Sequence, residues 1–204
     1  MHRIESLAEL EAIYDQKPAL ASTAKVADHI TPAYRKLITC SPFVVLATSG
    51  PEGLDCSPRG DAGAVVRVLD EKRIALPDRR GNNRIDSLRN IVVDPRIALL
   101  FLLPGSGTTI RITGTAQITT DSALCRSFET EGKLPRCVVV ITVEAIYFQC
   151  ARAVMRAGLW DHTRYISADQ IPSTGEILSE MTGGGIDGKQ YDAEWPARAK
   201  SSMW

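Results

Sequence analysis

The sequence predicts a mainly β protein, an antiparallel barrel with peripheral helices. Seven short runs rich in β-branched and apolar residues follow one another between residues 43 and 149. Turn sequences such as 49–53 and 104–107 separate most of these runs. Only two helical stretches, about 83–93 and 121–131, interrupt them. Closely spaced strands with so few helices between them favour an antiparallel barrel over a doubly wound parallel sheet.

The predicted strands cover residues 43–48, 54–59, 64–69, 73–76, 96–103, 108–120 and 136–149. The sixth run alternates strictly, which predicts two different faces. One face carries Ile110, Ile112, Gly114, Ala116 and Ile118, and the other carries Arg111, Thr113, Thr115, Gln117 and Thr119. We expect the first face to fill the barrel, with Gly114 allowing another group to approach closely. The polar face suits either solvent or the edge of a planar polar ligand.

Two helices are predicted before the first strand. Residues 3–16 carry Ile4, Leu7, Leu10 and Ile13 at helical spacing. Residues 32–39 follow Thr31, a favourable N-cap, and begin with Pro32, which fits the first helical position. At the other end of the chain, the Gly-rich and polar sequence predicts a loose tail or an arm across a partner subunit.

Size and composition indicate an ordinary globular protein. Its 204 residues suit a single domain, which we divide into N-terminal helices (1–40), a barrel core (41–150), and a C-terminal helix with a loose tail (151–204). The formal net charge of zero argues against a protein that binds nucleic acid by bulk electrostatics. No apolar run is long enough to cross a bilayer and no signal peptide is recognisable, so we expect a cytoplasmic protein.

The cysteines and histidines do not indicate a metal site. Five cysteines are spread along the chain without a CxxC pair, and the three histidines are isolated from one another. We therefore expect no metal, no disulfide framework and no Ser/His/Asp arrangement, and we expect the cysteines to be buried thiols.

A basic turn, DRRGNN (78–83), leads into the predicted helix at 83–93. Between Arg59 and Arg96 the chain has nine Lys or Arg residues and six Asp or Glu residues. Cations near the start of a helix cost stability unless an anion lies among them. Gly81 permits a tight turn, and Asn83 with Asp86 resembles a capping arrangement. These features predict a phosphate site at the helix start, although a solvated Arg-rich turn would have the same composition.

Three stretches together resemble a known family. They are SPFVVLATSGPEGLDCSPRGDAG (41–63), IALPDRRGNNRIDSLRNIVVDPRIALLFLLPG (74–105) and TIRITGTAQIT (109–119). Their order of strand, basic turn, helix, DPR, apolar strand and Gly loop is similar to that of the pyridoxamine 5'-phosphate oxidase-related flavoproteins. The resemblance covers about 41–160 and is most specific over 74–118. It implies an FMN-binding split β-barrel, antiparallel and of Greek-key type.

The resemblance also implies a homodimer with FMN in a groove between the subunits. The residues implied to bind this cofactor are Arg59, Asp61, Pro77, Asp78, Arg79, Asn82, Asn83, Arg84, Arg111, Thr113 and Trp160. Within this set, Asn82, Asn83 and Arg84 match the phosphate-binding turn best, with Arg59 as a second clamp. Arg111 and Thr113 would lie near the ring system, and Trp160 would face the partner subunit's flavin.

The implied activity is that of an FMN-dependent oxidoreductase acting on a small molecule, in contact with neither nucleic acid nor membrane. The true pyridoxamine 5'-phosphate oxidases share a C-terminal Arg-x-His segment, whereas this chain has no histidine after His162. Pyridoxamine 5'-phosphate is therefore not the expected substrate, and no catalytic side chain is assigned. Two alternatives stay open: a non-catalytic module that binds FMN for storage or sensing, and a deazaflavin-dependent reductase. Flavin reductase-like and haem-associated proteins also belong to the related group.

Overall fold

A computed structural model of the chain describes residues 2–14 and 16–204. Its centre is one seven-stranded antiparallel sheet with strand order β2-β1-β5-β6-β7-β4-β3. The strands are β1 (Phe43–Gly50), β2 (Gly53–Gly60), β3 (Arg67–Val68), β4 (Arg73–Pro77), β5 (Arg96–Leu102), β6 (Thr109–Thr119) and β7 (Val138–Gln149). The ladder does not close between β2 and β3. The predicted mainly β fold, an antiparallel split barrel with peripheral helices, is confirmed.

The described residues also form eight α-helices. They are α1 (Leu7–Ile13), α2 (Leu20–Thr23), α3 (Pro32–Thr39), α4 (Asp86–Val93), α5 (Ser122–Ser127), α6 (Arg152–Ala157), α7 (Thr174–Met181) and α8 (Gly188–Ser202). Two short 3-10 helices lie at His162–Arg164 and Ala168–Gln170. In the described part of the chain, no helix combines the length and the apolar character needed to span a membrane.

The core lies on the inner face of the curved sheet. Alternate residues of β1, β5 and β6 point into it, as the alternation of the sequence predicts for β6. Val44, Leu46, Phe101, Ile110 and Ile112 are completely buried there. Helix α3 begins at Pro32, and Oγ1 of its N-cap Thr31 accepts a hydrogen bond from the Tyr34 N–H. The predicted range of this helix is therefore confirmed at both ends.

Gly114 has a structural role. A β-bulge between Thr113 and Gly114 shifts the register of β6 against β7. A Cβ atom at position 114 would collide with the carbonyl oxygen of Thr142 on β7. The group that approaches Gly114 is thus the neighbouring strand, as expected for a glycine at a bulge.

The N-terminal helix is shorter than predicted and does not contribute to the core. It begins after Ser6, whose side chain accepts from the Glu9 N–H, and ends at Ile13. Ile4, Leu7, Leu10 and Ile13 are all exposed. The predicted range, 3–16, also includes Asp15, which lies outside the described residues. The apolar spacing predicted the helix correctly, but no other part of the described chain covers its apolar stripe.

Two further segments differ from the prediction. The run 64–69 forms only the two-residue strand β3, because the Val65 N–H donates to the carbonyl of Ser41 outside the sheet. Residues 182–204 were predicted as a loose tail or an arm across a partner subunit, but most of them form helix α8, which follows helix α7. The glycines of this segment lie between these helices and not within a flexible end. The division of the chain into three parts stays a prediction.

Candidate functional site

A cavity of about 850 Å³ lies between β2, the turn after β4 and the start of α4. Residues 55–59, 78–88 and 136–137 line it, together with Trp204. The fold thus brings the basic turn and the SPRG segment of β2 together. Among the predicted site residues, the lining includes Arg59, Asp78, Arg79, Asn82, Asn83 and Arg84.

The basic turn has an unusual backbone that fixes where α4 starts. Asn83 and Ile85 both have positive φ angles, of 62° and 55°. A residue in this left-handed region cannot begin a right-handed helix, so α4 starts only at Asp86. The prediction that Asn83 caps the helix is therefore wrong. Instead, its side-chain oxygen accepts from Nη1 of Arg136 at 3.2 Å, across the cavity wall.

Helix α4 directs its N-terminus at the cavity. Its first residues, Asp86 to Leu88, belong to the lining, and the N–H groups of a first turn have no acceptor within the helix. The helix is held against β1 by Asn90, whose Nδ2 donates to Oγ1 of Thr48 at 3.1 Å. Gly50 allows this contact, because a Cβ there would collide with the Asn90 side chain. The helix end is therefore a fixed electropositive wall.

Arg59 is the best-anchored cation of the cavity. Its Nη1 donates to Oδ1 of Asp78 at 3.0 Å, and its Nη2 donates to Oγ of Ser87 at 3.2 Å. Ser87 in turn donates to the Asp55 carboxylate. The Nε atom of Arg59 is buried and has no hydrogen-bond partner in the described part of the chain. A buried donor without an acceptor is costly, so this position fits an anionic ligand.

Arg79 also lines the cavity and forms a second anchored ion pair. Its Nε and Nη2 donate to Oδ2 of Asp61 at 2.9 and 2.6 Å, and its Nη1 donates to the carbonyl of Phe128 at 2.7 Å. Asp61 is thus occupied by Arg79 and does not line the cavity. Pro77 is buried at the end of β4, opposite Val138 of β7. Asp61 and Pro77 therefore support the turn rather than face the cavity.

The charge of the lining favours an anion. Five arginines face three aspartates, and the Asp61 carboxylate outside the lining pairs with Arg79, which leaves a formal excess of one positive charge. A phosphate monoester carries about −1.5 to −2 charges at neutral pH. The arginines are Arg59, Arg79, Arg80, Arg84 and Arg136, and the aspartates are Asp55, Asp78 and Asp86. The charge balance and the unpaired Arg59 Nε both fit a phosphate group.

Three predicted residues lie away from this cavity in the same chain. The cavity-lining Cys137 precedes Val138, which pairs with Thr119 of β6. Arg111 is eight positions from Thr119 along the strand, on the order of 25 Å. Its guanidinium lies over the Tyr147 ring, 5.4 Å from the centroid. Thr113 is on the same strand as Arg111. Trp160 is also outside the cavity lining, and its Nε1 donates to the Ser106 carbonyl at 2.7 Å. A single chain therefore does not unite the two groups of predicted residues.

The cavity also contains residues that were not predicted from the sequence. Ser87 and Asp55 could have been found from their places in the first helical turn and beside the SPRG segment. Arg136 and Trp204 gave no local signal, because they are remote in sequence. Cys137 also lines the cavity, and its burial, followed by the nearby Asp78 charge, raises the pKa of its thiol to about 11. Cys125 is buried as well, but Cys40, Cys56 and Cys150 are exposed, contrary to prediction.

The fold and the cavity together define a split-barrel protein with a basic site at a helix start. The chain belongs to the pyridoxamine 5'-phosphate oxidase family, whose model matches residues 30–150. This confirms the resemblance found in the sequence. No curated protein matches the chain.

Several solved structures are similar to the described fold. HupZ from Group A Streptococcus is 22% identical over 59% of this chain and 94% of its own, with a TM-score of 0.49. A variant of HupZ is 25% identical over 59% of this chain and 99% of its own, with a TM-score of 0.46. A Lactobacillus delbrueckii protein proposed to be a pyridoxamine 5'-phosphate oxidase is 22% identical over 59% and 95% of the two chains, with a TM-score of 0.47.

Proposed function

We propose that the cavity binds the phosphate group of FMN and that the protein is an FMN-dependent oxidoreductase. The observation that carries this proposal is the buried Nε of Arg59, a donor without an acceptor among the described residues, in the wall of a cavity with an excess of positive charge. Membership of the pyridoxamine 5'-phosphate oxidase family supports FMN among phosphorylated ligands.

The residues of the cavity have separate tasks in this proposal. Arg59 and the N-terminal N–H groups of α4 hold the phosphate, since both are fixed by contacts to the sheet or to Ser87. Arg84, with Asn82 and Asn83, closes the exposed side of the turn. Asp78 keeps the Arg59 guanidinium in place. Bound FMN would supply the electron or hydride transfer, and the protein would supply its binding and orientation.

A homodimer would cover an apolar surface on the outside of the sheet. The outward residues of β1 and β5 lie side by side in the register Phe43↔Leu102, Val45↔Leu100 and Ala47↔Ala98. Apolar residues on both faces of a strand are typical of strands that are covered on both faces. Leu100 and Ala98 are followed across β5 and β6 by Arg111 and Thr113. A second copy on this surface would bury it and would put Arg111 and Thr113 at the edge of the interface.

The end of the chain supports a substrate other than pyridoxamine 5'-phosphate. Arg198 is the residue there that could form half of a phosphate clamp, yet its guanidinium stacks on Tyr191, 4.2 Å from the ring centroid. Its Nη2 donates to the Tyr191 carbonyl at 3.4 Å. Flavin chemistry depends on close positioning of the substrate, and misplacement by about 1 Å can cost on the order of a hundredfold in rate.

Anaerobic reduction of the FMN-loaded protein tests the proposed function. We expect dithionite, or a reduced nicotinamide or deazaflavin donor, to bleach the yellow colour, while excess pyridoxamine 5'-phosphate leaves it nearly unchanged. Steady-state turnover with one of the biological donors would separate an oxidoreductase from a storage or sensing protein. Rapid bleaching by pyridoxamine 5'-phosphate, with pyridoxal phosphate formed after oxygen is readmitted, would contradict the proposed substrate exclusion.

A further inference from the structure

The C-terminal helices α7 and α8 form a tightly joined hairpin. The Asp192 carboxylate of α8 accepts from Oγ of Ser173 at 2.5 Å and from the Gly175 N–H at 2.9 Å. Gly175 and Gly188 lie so close that a Cβ on either would collide with the backbone of the other. The two helices therefore hold each other, which fixes the direction in which α8 runs.

The end of this hairpin reaches the cavity. Helix α8 stops at Ser202, because Met203 takes an extended conformation with φ −86° and ψ 102°. Trp204 then joins the cavity lining, and the Nζ atom of Lys133 lies 5.8 Å from the centroid of its ring. Lys133 and Arg136 belong to the same loop before β7. The cation over the indole adds a favourable contact that holds the ring beside this loop.

Trp204 supplies what the remainder of the lining lacks. Among the described residues that line the cavity, it is the one aromatic side chain, and most of the others are charged or polar. A phosphorylated ligand with a planar ring needs a basic site at one end and a flat apolar contact at the other. Arg59 and the start of α4 provide the first, and the indole provides the second.

We propose that the indole of Trp204 packs against the isoalloxazine ring of the bound flavin, and that the α7–α8 hairpin positions this indole. This inference rests on the proposed function, because it takes the ligand of the cavity to be FMN. Trp204 is a binding and positioning residue, and no step of the flavin reaction is assigned to it.

The emission of bound FMN tests this contact directly. An indole touching an isoalloxazine quenches flavin fluorescence by electron transfer, which requires contact between the rings. FMN bound to the full-length protein should therefore fluoresce weakly. Trp204→Ala should raise the emission of bound FMN several-fold and weaken FMN binding about tenfold, as expected for loss of an aromatic stacking contact. Trp204→Phe should also raise the emission but retain most of the affinity.

Trp195→Ala is the matched control, because Trp195 stacks on Tyr191 within α8 and does not line the cavity. It should leave both emission and affinity at wild-type values. Wild-type emission and affinity in Trp204→Ala would overturn the role of Trp204 while leaving FMN binding intact. Absence of FMN binding by the wild-type protein would overturn the proposed function and this inference together, so the two failures are distinguishable.

Discussion

Arg59 and Asp78 form an ion pair, with 3.0 Å between Nη1 and Oδ1, that joins strand β2 to the turn after β4. Both side chains are about four-fifths buried, with exposed fractions of 21% and 19%. The pair fixes the guanidinium at the cavity, while the Ser87 hydroxyl accepts from Nη2. Only Nε is left without an acceptor in the described part of the chain.

Replacing Arg59 of β2 should weaken FMN binding more than any single change in the turn after β4. Arg59→Ala is expected to cost about 1.5–3 kcal/mol of binding free energy, the usual worth of a hydrogen bond to a charged group. Arg59→Lys keeps the charge but loses the fork of donors, so an intermediate loss is expected. A titration followed by flavin absorbance measures the FMN affinity of both variants. Unchanged affinity in Arg59→Ala would move the phosphate away from this residue.

Arg84 should contribute less than Arg59. Its side chain is 75% exposed, and its Nε donates to Oδ2 of Asp86 at 2.8 Å. Solvent screening weakens the attraction between an exposed cation and a phosphate group, so Arg84→Ala should cost about 0.5–1.5 kcal/mol of FMN binding free energy. Arg89→Ala is the control, because Arg89 is exposed on helix α4, close to Arg84 in sequence, and does not line the cavity. Equal effects of the two substitutions would show that Arg84 acts only through general charge.

Gly114 should be essential for the stability of the sheet. Gly114→Ala places a methyl group against the Thr142 carbonyl on the neighbouring strand. We expect a loss of about 1–3 kcal/mol in the free energy of unfolding, as for other overpacked sites. Gly63→Ala is the comparison, since no atom lies within 4 Å of the added Cβ. Urea denaturation measures the free energy of unfolding of both variants. Equal values would mean that β6 and β7 separate easily at the bulge.

The apolar outer face of β1 and β5 should form the dimer interface. Wild-type protein is expected to have a light-scattering mass of twice the 22.2 kDa chain. Leu100→Lys introduces a charge in the middle of this face and should produce monomers, because burying an unpaired charge is costly. Leu54→Lys changes a residue of β2 that is 87% exposed and should leave the dimer intact. A wild-type mass of one chain with FMN bound would contradict this account of the interface.

Local sequence patterns predicted the strands well. Alternation in 108–120 identified both faces of β6, and the capping preference of Thr31 located the start of α3, because both features depend on neighbours along the chain. The basic turn was also recognised as part of a site. Its backbone was not, since Ile85 is a β-branched residue that disfavours the left-handed region it occupies, although Asn83 is of a type that tolerates it.

Contacts between distant segments explain what the sequence did not reveal. The α1 stripe has helical spacing but lacks a surface to cover in the described chain. The ion pair of Arg79 with Asp61 joins positions 18 residues apart, and Arg136 contacts Asn83 across 53 residues. Trp204 reaches the cavity only because the α7–α8 hairpin directs it there. Neither periodicity nor local turn chemistry carries this information.

A comparison of FMN and riboflavin binding by the purified protein tests most directly whether the cavity holds a phosphate group. The two ligands share the ring and the ribityl chain, and only FMN has the phosphate group for which the cavity is proposed. We expect the protein to bind FMN with a yellow absorption spectrum, and riboflavin at least about a hundredfold more weakly, which corresponds to the loss of two charge-assisted hydrogen bonds. Comparable affinity for both ligands would contradict the assignment of the cavity at Arg59 and α4 to a phosphate group.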